Sequence, residues 1–397
     1  MGVTAWPKII AVLIIIIIAI VVLVIFKIYR TQADNLHDVF GTVTYIGELP
    51  QLQYRQPLKS YNNWNGFRSY NPSLFSLDDR NCYYVYRLCN FTLCPGVRNQ
   101  WRMGHRDKTI SHTVIQSPTG SLAIVKHPQL AKLYKYDGER NCEQGGEDAR
   151  PIVVGKKLYL ITNATTGDNC RRQMILMQLN LQHLKDCSRN SDGDLAEIVP
   201  DKIWQLHYED GEHRDQKNWM PFTVGKSSSN NLIDDDLHFV YSVNPHVILK
   251  FDKVSGDCHK IASTWNCNLS EDLRGGSQII RVTKWNPRSK NGLTGELRYY
   301  PEELYLGVLH KRDSTFEYMT YIYAFEVKYP YRVKYITDGF VFGEYGSHSK
   351  RIQFAAGLAR IISDDCAYLY ITYGENDCMS KVCVLKEEDV LRSLIRV

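Results

Sequence analysis

The sequence lacks two features that would point to a metal or nucleic-acid protein. Its 11 cysteines include no Cys-x-x-Cys pair and have no histidine beside them at zinc-ligand spacing, which favours disulfides over a metal site. The 48 Lys and Arg residues are interleaved with 43 Asp and Glu residues, for a net charge of +5. A balance this mild gives no indication of a nucleic-acid partner. We therefore expect no metal and no cofactor, and the odd cysteine count leaves one thiol free or paired between chains.

Helical periodicity and interdomain linkers are also scarce. After a short polar segment at 31–38 no Pro-, Gly- or Ser-rich stretch divides the chain, which predicts one large domain at 56–397. A short helix is predicted only at Lys386–Ile395, outside the N-terminal run described next. No alternation of strands and helices indicates a doubly wound fold. Short Tyr-, Val- and Ile-rich runs predict strands instead, beginning at Cys82, Lys157, Gln173, Leu237, His246, Leu304, Met319 and Ala367.

One long hydrophobic run is present, from Ile9 to Phe26, and lysines flank it. As a helix it would be about 27 Å long, close to the hydrocarbon thickness of a bilayer. It is longer than the core of a signal peptide and no small-residue cleavage site follows it, so an uncleaved anchor is favoured. The prediction is a cytosolic tail at 1–8, a membrane span at Ile9–Tyr29 and a stalk at 30–55.

The orientation of this span rests on conflicting signals. Lys27 and Arg30 outnumber Lys8, which by the positive-inside rule would leave the large domain in the cytosol. Three glycosylation sequons follow the span, however, as do all the cysteines, and the sequon residues are Asn90, Asn163 and Asn268. We expect a single-pass type II membrane protein facing the Golgi or ER lumen, or alternatively the cell surface.

Five distinctive loop motifs recur along the large domain. They are represented by Asn71, Asp148, Asn218, Arg274 and Phe354, which lie 77, 70, 56 and 80 residues apart. Units of this length, each holding about four strands, predict an all-β fold, a five-bladed β-propeller. In such a fold the five loops would converge on one pocket at an end of the central channel.

The motif Glu147-Asp148-Ala149-Arg150 follows a glycine turn and precedes an apolar run. An acid beside a guanidinium at a loop-to-strand junction can move a proton and hold an anion, which is typical of an active-site rim. An ion-paired turn is the alternative for this stretch taken alone.

Several motifs taken together resemble those of the five-bladed propeller β-mannoside phosphorylases and their β-mannosyltransferase relatives. The resemblance covers about 60–385, and Ala149 stands where the family motif usually has proline. Lys217 to Phe222 and Arg274 to Ser277 are most similar to the glycosyltransferase-like branch. The other matching stretches are Arg68 to Phe75, Tyr83 to Arg87, Glu147 to Arg150, His310, Phe354 to Gly357 and Leu369 to Asp377.

The resemblance implies that Asp148 is the single catalytic acid or base. It would relay a proton through a sugar hydroxyl while the anomeric centre inverts, with a sugar-phosphate or nucleotide-sugar donor as substrate. It further implies anion-binding cations at Arg150, Lys217, Arg274 and His310. The remaining implied substrate contacts are Asn71, Glu147, Asn218, Tyr373 and Asp377.

Each of these residues also has a plainer interpretation. Arg150 could simply pair with an acid, Arg274 could belong to a tight Gly-Gly turn, and His310 could be a core histidine. Trp219 and Phe222 could stack on a sugar but are interpreted here as core. We regard Glu147 as a structural partner of Asp148.

The expected function is a lumenal, inverting glycosyltransferase that forms a β-mannosidic linkage to a carbohydrate acceptor. Asn71 replaces the second carboxylate that a propeller hydrolase would place in the first blade, which argues against plain hydrolysis. The alternatives are a β-mannoside phosphorylase, a hydrolase on the same fold, and a non-catalytic propeller that binds carbohydrate or protein.

Overall fold

A computed structural model describes residues 34–35, 39–40, 43–49, 68–77, 82–90, 110–126, 145–166, 171–187, 196–211, 215–225, 236–282, 303–314, 317–343, 352–363 and 366–397. The predicted membrane span Ile9–Tyr29 and the turn containing Cys142 lie outside these ranges. Within them, no helix has both the length and the apolar character needed to cross a bilayer.

Strands dominate the described residues because β-branched and aromatic side chains alternate with polar ones between short turns. The strands of the first half are β1 (Asp34–Asn35), β2 (Val43–Glu48), β3 (Arg68–Ser76), β4 (Cys82–Cys89), β5 (Ser111–Gln116), β6 (Leu122–Val125), β7 (Gly146–Val154), β8 (Lys157–Thr166), β9 (Arg171–Asn180), β10 (Ala196–Ile198), β11 (Lys202–Gln205) and β12 (Met220–Val224). Those of the second half are β13 (Asp236–Val243), β14 (His246–Phe251), β15 (Cys258–Thr264), β16 (Arg274–Gly275), β17 (Ile280–Val282), β18 (Leu304–Arg312), β19 (Tyr318–Glu326), β20 (Val333–Ile336), β21 (Phe340–Val341), β22 (Gln353–Ser363), β23 (Cys366–Glu375), β24 (Met379–Lys386) and β25 (Ile395–Arg396). The described ranges also contain helices α1 (Leu181–Cys187) and α2 (Glu387–Arg392) and a 3-10 turn at Glu209–Gly211.

These strands form five sheets in the described part of the chain, and each sheet is one propeller blade. Blade 1 is β3 to β6 with β10, blade 2 is β7 to β9 with β11, and blade 3 is β12 to β15. Blade 4 is built on β16 to β21 and blade 5 on β22 to β24 with β2. Neighbouring strands within a blade pair antiparallel, apart from the parallel additions of β1 and β10. The predicted mainly-β propeller is confirmed.

The innermost strands close into a ring. Strand β3 of blade 1 contacts both β7 of blade 2 and β22 of blade 5, and β7 contacts β12 of blade 3. Closure is completed at the outside of blade 5, where β2 pairs with β24. Because a strand from the N-terminal side completes the last blade, the ring is held by hydrogen bonds across the join.

Two assignments made from the sequence are wrong. Residues 43–48, predicted as part of a stalk at 30–55, form the outer strand of blade 5, and the ring of Phe40 packs edge-on against Phe340 at 5.0 Å. Helix α1 was not predicted, because its seven residues are too few to display helical periodicity. All eight predicted strands and the C-terminal helix are present, the helix being shorter than predicted.

The aromatic side chains fill the spaces between blades. Trp219 is 1% exposed and its ring lies 5.7 Å from that of Phe239, while Phe222 is fully buried against Phe325. Their predicted core role is confirmed. Tyr373, implied as a substrate contact, is 1% exposed and stacks on Phe342 at 4.1 Å. Its ring therefore belongs to the core, because β23 points this side chain into the packing between strands.

The cysteines differ from the expectation of extensive disulfide bonding. Cys378 is disulfide-bonded. Six others in the described ranges are thiols, at Cys82, Cys89, Cys258, Cys267, Cys366 and Cys383. Burial raises the pKa of Cys383 to about 12, so this thiol is an inert core group. Disulfide bonding in the described ranges is therefore less extensive than the cysteine count suggested, and Cys89, Cys258 and Cys383 are buried as small hydrophobic side chains.

A buried glutamine joins three blades at the axis. Gln278 follows β16 in blade 4, and its Nε2 donates to the carbonyl oxygen of Leu74 in blade 1 at 2.6 Å and to that of Leu358 in blade 5 at 2.7 Å. The side chain is 5% exposed. Because an unpaired buried carbonyl is costly, one amide that satisfies two of them fixes the relative positions of the inner strands.

Candidate active site

β-Bulges in the inner strands of blades 1 and 2 present two polar side chains at the channel mouth. The pairing register shifts between Tyr70 and Ser73 in β3, and between Glu147 and Arg150 in β7. Asn71 and Asp148 occupy these bulges with φ values of 48° and 51°. A bulge changes the direction of a side chain, and a left-handed non-glycine residue costs about 1–3 kcal/mol, so strain of this kind is typical of functional sites.

A third side chain arrives from the hairpin between β23 and β24. Asn376 and Asp377 both have positive φ, 54° and 46°, and the N–H of Cys378 donates to the carbonyl oxygen of Glu375 at 3.0 Å. Two consecutive left-handed residues closed by this bond make a type I′ turn, in which Asn and Asp are tolerated. The turn holds Asp377 at the end of blade 5 that carries the loop motifs.

Asn71 connects the two carboxylates. Its Nδ2 donates to Asp148 Oδ1 at 2.9 Å, and its side chain also hydrogen-bonds to Asp377. Arg87 of β4 lies alongside, with Nη1 at 3.8 Å from Asp148 Oδ1 and Nη2 at 2.8 Å from Glu147 Oε1. Blades 1, 2 and 5 thus bring together one amide, three carboxylates and one guanidinium.

The electrostatics of this cluster distinguish Asp377 from a surface acid. Burial raises the pKa of Asp377 to about 6, the Arg87 cation opposes the rise, and the charges of Asp148 and Glu147 add to it. The hydrogen bond from Asn71 lowers this pKa. A carboxyl group that titrates near neutral pH beside a second carboxylate is typical of acid–base chemistry.

The carboxylate of Glu147 is paired with two arginines. Besides Arg87, Arg172 Nη2 lies 3.6 Å from Glu147 Oε1, and the backbone oxygen of Glu147 accepts a hydrogen bond from Thr162 Oγ1 at 2.7 Å. The side chain is 9% exposed. These contacts fix the residue before Asp148, in agreement with a structural role for Glu147.

The expected role of Arg150 as an anion clamp is not supported by its surroundings. The side chain is 1% exposed, and its guanidinium donates to three backbone oxygens, those of Gly276 at 2.9 Å, Gly275 at 3.2 Å and Trp219 at 3.3 Å. A fourth bond reaches Asn218 Oδ1 at 3.1 Å. With four of its five N–H groups donated to the protein, the guanidinium binds blades 3 and 4 rather than a ligand.

His310 lies near the site but is not a cation. Burial and the charges of Arg150, Arg274 and Arg312 lower its pKa to about 3, so the imidazole is neutral at physiological pH. Its ring lies 5.0 Å from Phe354 and 5.4 Å from Tyr318. His310 is therefore buried and neutral, which agrees with its interpretation as a core histidine and does not support a role as an anion-binding cation.

Three exposed cations lie in or next to the motif segments, at Arg274, Lys217 and Arg312. Arg274 donates through Nη1 to the backbone oxygens of Glu271 and Leu273, which anchors one edge of its guanidinium. Arg312 hydrogen-bonds with Tyr318. The sequence interpretation missed Arg312 and Tyr318, although Arg312 follows His310 by two residues in β18 and so shares its face of the strand.

Several buried side-chain polar atoms in the described ranges have no protein hydrogen-bond partner, and two of them, Asn71 Oδ1 and His310 Nδ1, belong to residues at this site. Such atoms are rare in folded chains unless a ligand or water satisfies them. Acceptors of this kind suit the hydroxyl groups of a sugar. The described residues contain no group of three or more His, Cys, Asp or Glu placed to hold a metal.

The predicted glycosylation residues differ in accessibility. Asn268 is exposed, whereas Asn90 is half-buried and its Oδ1 accepts a hydrogen bond from the Ile110 N–H at 2.8 Å. Asn163 is 2% exposed inside β8, and its Nδ2 faces the Glu147 carbonyl at 3.4 Å. The sequon at Asn163 is incompatible with a glycan in the folded chain, because the residue lies in the central pairing of blade 2.

Comparison with known families identifies one match. Residues 162–312 match the family model described as "Beta-mannosyltransferases". This segment contains Lys217, Asn218, Arg274 and His310, whereas Asn71, Asp148 and Asp377 lie outside it. It confirms the resemblance drawn from the sequence motifs. No curated protein sequence matches the chain.

Solved structures with a similar fold include a beta-1,2-mannobiose phosphorylase from Listeria innocua in complex with beta-1,2-mannobiose, at 12% identity and a TM-score of 0.49, covering 85% of this chain and 94% of that one. MPT-4, a mannose phosphorylase from Leishmania mexicana in complex with a phosphate ion, has 12% identity and a TM-score of 0.43, with 85% and 89% coverage. A glycosyl hydrolase from Bacteroides ovatus has 12% identity and a TM-score of 0.48, with 80% and 83% coverage.

Proposed function

We propose that this chain, which matches the beta-mannosyltransferase family model at residues 162–312, is an inverting glycosyltransferase whose proton-transfer residue is Asp148. The donor is an activated mannose with a phosphate-containing leaving group. The acceptor is a carbohydrate hydroxyl, and the product is a β-mannosidic linkage.

One observation carries the proposal: Asn71, from another blade, holds the Asp148 carboxylate by the 2.9 Å hydrogen bond, beside Arg87. An inverting transfer to a hydroxyl needs one group that accepts a proton, in a fixed position relative to the anomeric carbon. The bulge at Asp148 and the bond from Asn71 provide this position. A solvated ion-paired turn would not require a left-handed backbone at both residues.

The mechanism follows from the distribution of charge. Asp148 accepts the acceptor proton, through a sugar hydroxyl, as the acceptor oxygen attacks the anomeric carbon. The bond from that carbon to the phosphate oxygen breaks on the opposite face. Arg274 and Lys217, the exposed cations predicted from the motifs, and Arg312 with Tyr318 stabilise the departing anion.

Anchoring and location form part of the same proposal. The apolar run Ile9–Phe26 supports a type II membrane protein, and the exposed sequon residue Asn268 supports a lumenal side in the Golgi or ER. Protease protection in sealed microsomes tests the topology: a propeller digested without detergent would overturn the lumenal assignment.

The catalytic assignment is tested with purified ectodomain carrying Asp148→Asn. Turnover of GDP-mannose or mannose 1-phosphate with a β-mannoside acceptor should fall by about 100-fold or more, since a general base contributes about 10²–10⁴-fold. Asp210→Asn is the matched control, because Asp210 is an exposed acid bonded to Lys260. Turnover in the Asp148→Asn enzyme within tenfold of the parent would contradict the assignment.

Hydrolysis is a second candidate because Asp377 provides the second carboxylate that Asn71 lacks. Inverting hydrolases use a pair of acids, one to protonate the leaving group and one to activate water. Release of free mannose from β-mannobiose in buffer without phosphate, donor or acceptor would favour this function. Conversion only with phosphate would favour phosphorolysis instead.

A further inference from the structure

We propose that Arg150 is the positioning residue of the site: it sets the place of Asp148 by tying β7 to blades 3 and 4, and it takes no part in binding the donor anion. This inference rests on the proposed role of Asp148 and assigns Arg150 a function different from the one the motif suggests. It concerns a guanidinium that is buried at the axis.

The geometry joins three blades through one side chain. Arg150 belongs to blade 2 and lies two residues after Asp148 in the same bulge. Its acceptors Gly275 and Gly276 lie in the inner segment of blade 4, and Asn218 and Trp219 lie at the start of blade 3. The bulge that carries Asp148 is thereby fixed on the side opposite to Asn71.

The neighbouring glycines indicate how closely this contact is built. A Cβ on Gly275 would lie 2.4 Å from the Asn218 oxygen, and a Cβ on Gly276 would lie 2.9 Å from the oxygens of Ala355 and Val308. Backbone from blades 3, 4 and 5 therefore meets at these two residues. The carbonyl oxygens of both glycines accept hydrogen bonds from Arg150. The absence of side chains at Gly275 and Gly276 therefore allows the close backbone approach that this contact needs.

Arginine is required at this position for a geometric reason. A planar guanidinium donates in several fixed directions from one carbon centre, and here it reaches acceptors on two blades. Lysine carries the same charge but has a single nitrogen on a flexible stem, so it cannot satisfy these acceptors together. The substitution Arg150→Lys therefore keeps the positive charge and removes the planar set of hydrogen-bond donors.

The position of Arg150 also links the acid to the donor side of the site. Gly275 directly follows Arg274, the exposed cation that faces the leaving group in the proposed mechanism. Asn218 directly follows Lys217, the second such cation. One buried side chain therefore contacts the residues adjacent to both cations and lies two residues from Asp148, which couples the two halves of the site.

The test compares Arg150→Met with Gln278→Met, its matched control. Both substitutions remove a buried polar side chain of the axis that binds backbone carbonyls, and both introduce methionine. Gln278 joins blade 4 to blades 1 and 5 and does not contact the bulge of Asp148. We expect similar losses of melting temperature, with kcat falling on the order of 100-fold only in Arg150→Met, as for a reacting group misplaced by about 1 Å.

Donor affinity separates positioning from anion binding. By titration calorimetry with GDP-mannose or mannose 1-phosphate, Arg150→Met should keep the parent Kd within about threefold, while Arg150→Lys should lose kcat as severely as Arg150→Met. A large rise in Kd that Arg150→Lys restores would overturn the proposal in favour of an anion clamp. Equal kcat values in Arg150→Met and Gln278→Met would also overturn it.

A second variant covers the case in which Arg150→Met does not fold. Gly275→Ala leaves the guanidinium intact and displaces its acceptors, because the added carbon would meet the Asn218 oxygen. As for Arg150→Met, we expect kcat to fall while the Kd for the donor stays close to that of the parent. Should Asp148→Asn itself remain active, the proposed function fails first, and that result is distinguishable from a failure of the Arg150 inference alone.

Discussion

Asn71 and Asp148, 77 residues apart in the chain, meet side chain to side chain across two blades, with Nδ2 of Asn71 2.9 Å from Oδ1 of Asp148. Both residues occupy bulges with left-handed backbone. The amide also reaches Asp377, so a neutral donor separates two carboxylates that would otherwise repel each other. Asn71 thereby holds the acids together, in addition to any contact it makes with a sugar.

Replacing Asn71 by Asp should weaken activity most at low pH. An additional carboxylate directly between Asp148 and Asp377 raises the pKa of the group as a whole, because like charges disfavour ionisation. The acidic limb of kcat/KM should move to higher pH by about one unit or more, with little change at pH 9. A pH–rate profile of the ectodomain measures this shift.

Asn71→Ser is the control for that experiment, since serine is small, neutral and able to donate one hydrogen bond. It should lower kcat across the whole pH range without moving the limb. If Asn71→Asp and Asn71→Ser gave superimposable profiles, the interpretation of Asn71 as a separator of charges would be wrong.

The Asp377→Asn variant should lack the acidic limb that we expect in the kcat/KM profile of the parent enzyme. The pKa of Asp377 is raised to about 6, so the group is neutral below that pH and ionised above it. We expect the parent to show an acidic limb of kcat/KM near pH 6, and the variant to lack it. A limb of unchanged midpoint in Asp377→Asn would assign the titration to another group.

The same variant should be more stable than the parent at neutral pH. The folded pKa lies above the value of about 3.9 for an unfolded Asp. The proton is thus held more tightly in the folded state, and this contribution to stability is fully present below pH 4 and lost as the pH rises through 6. Asparagine avoids the buried charge, which predicts a gain of about 1–3 kcal/mol at pH 7.5.

Denaturant unfolding at pH 7.5 and at pH 4 checks that sign, because the gain should vanish at the lower pH. Asp272→Asn is a suitable comparison, since Asp272 is exposed and lies 3.8 Å from Lys311. Stabilisation of Asp377→Asn at pH 4 as large as at pH 7.5 would point to a cause other than the buried carboxylate.

Much of the fold could be predicted from the chain because alternation and turn residues act locally. The strands starting at Cys82 and His246 were located from their own side chains, and the spacing of five loops gave the number of blades. The closing strand Val43–Glu48 could not be found in this way. It is short, and its partner is β24 at the far end of the sequence, so only the closed ring identifies it.

The site shows the same division between local and distant information. The Glu147-Asp148-Ala149-Arg150 motif identified the bulge but not the direction of its side chains. Asp148 points to Asn71, whereas Arg150 points to blades 3 and 4. Residue type alone suggested anion-binding roles for Arg150 and His310. Both side chains are buried, and their burial depends on the packing of all five blades.

Arg312 and Tyr318 should contribute to donor binding. They hydrogen-bond to each other, and the Arg312 charge acts on the neutral His310. Arg312→Met should raise the KM for the donor about 10-fold or more and leave the acceptor KM nearly unchanged, because a charge-assisted hydrogen bond to an anion contributes about 1.5–3 kcal/mol. Steady-state kinetics with each substrate varied in turn measures both constants.

Arg396→Met provides the control for loss of an exposed arginine, since Arg396 lies at the C-terminal strand β25. Its kinetic constants should equal those of the parent. An Arg312→Met enzyme whose acceptor KM rises while its donor KM stays constant would place Arg312 on the acceptor side of the mouth.

Gly374→Ala should disturb the site through Asn71 alone. A Cβ at this position of β23 would lie 1.9 Å from Asn71 Oδ1 and 2.9 Å from the Asn71 backbone nitrogen. The contact with backbone cannot be relieved by rotating a side chain, so the bulge of Asn71 must shift and its bond to Asp148 must lengthen. Overpacking of this kind costs about 1–3 kcal/mol, and kcat should fall further than the loss of stability would explain.

Gly307→Ala is the matched comparison: its added carbon would meet the side chains of Ile279 and Tyr323, away from Asn71. If both variants lost stability equally and both kept the parent kcat, the close contact between blades 5 and 1 would have no bearing on catalysis.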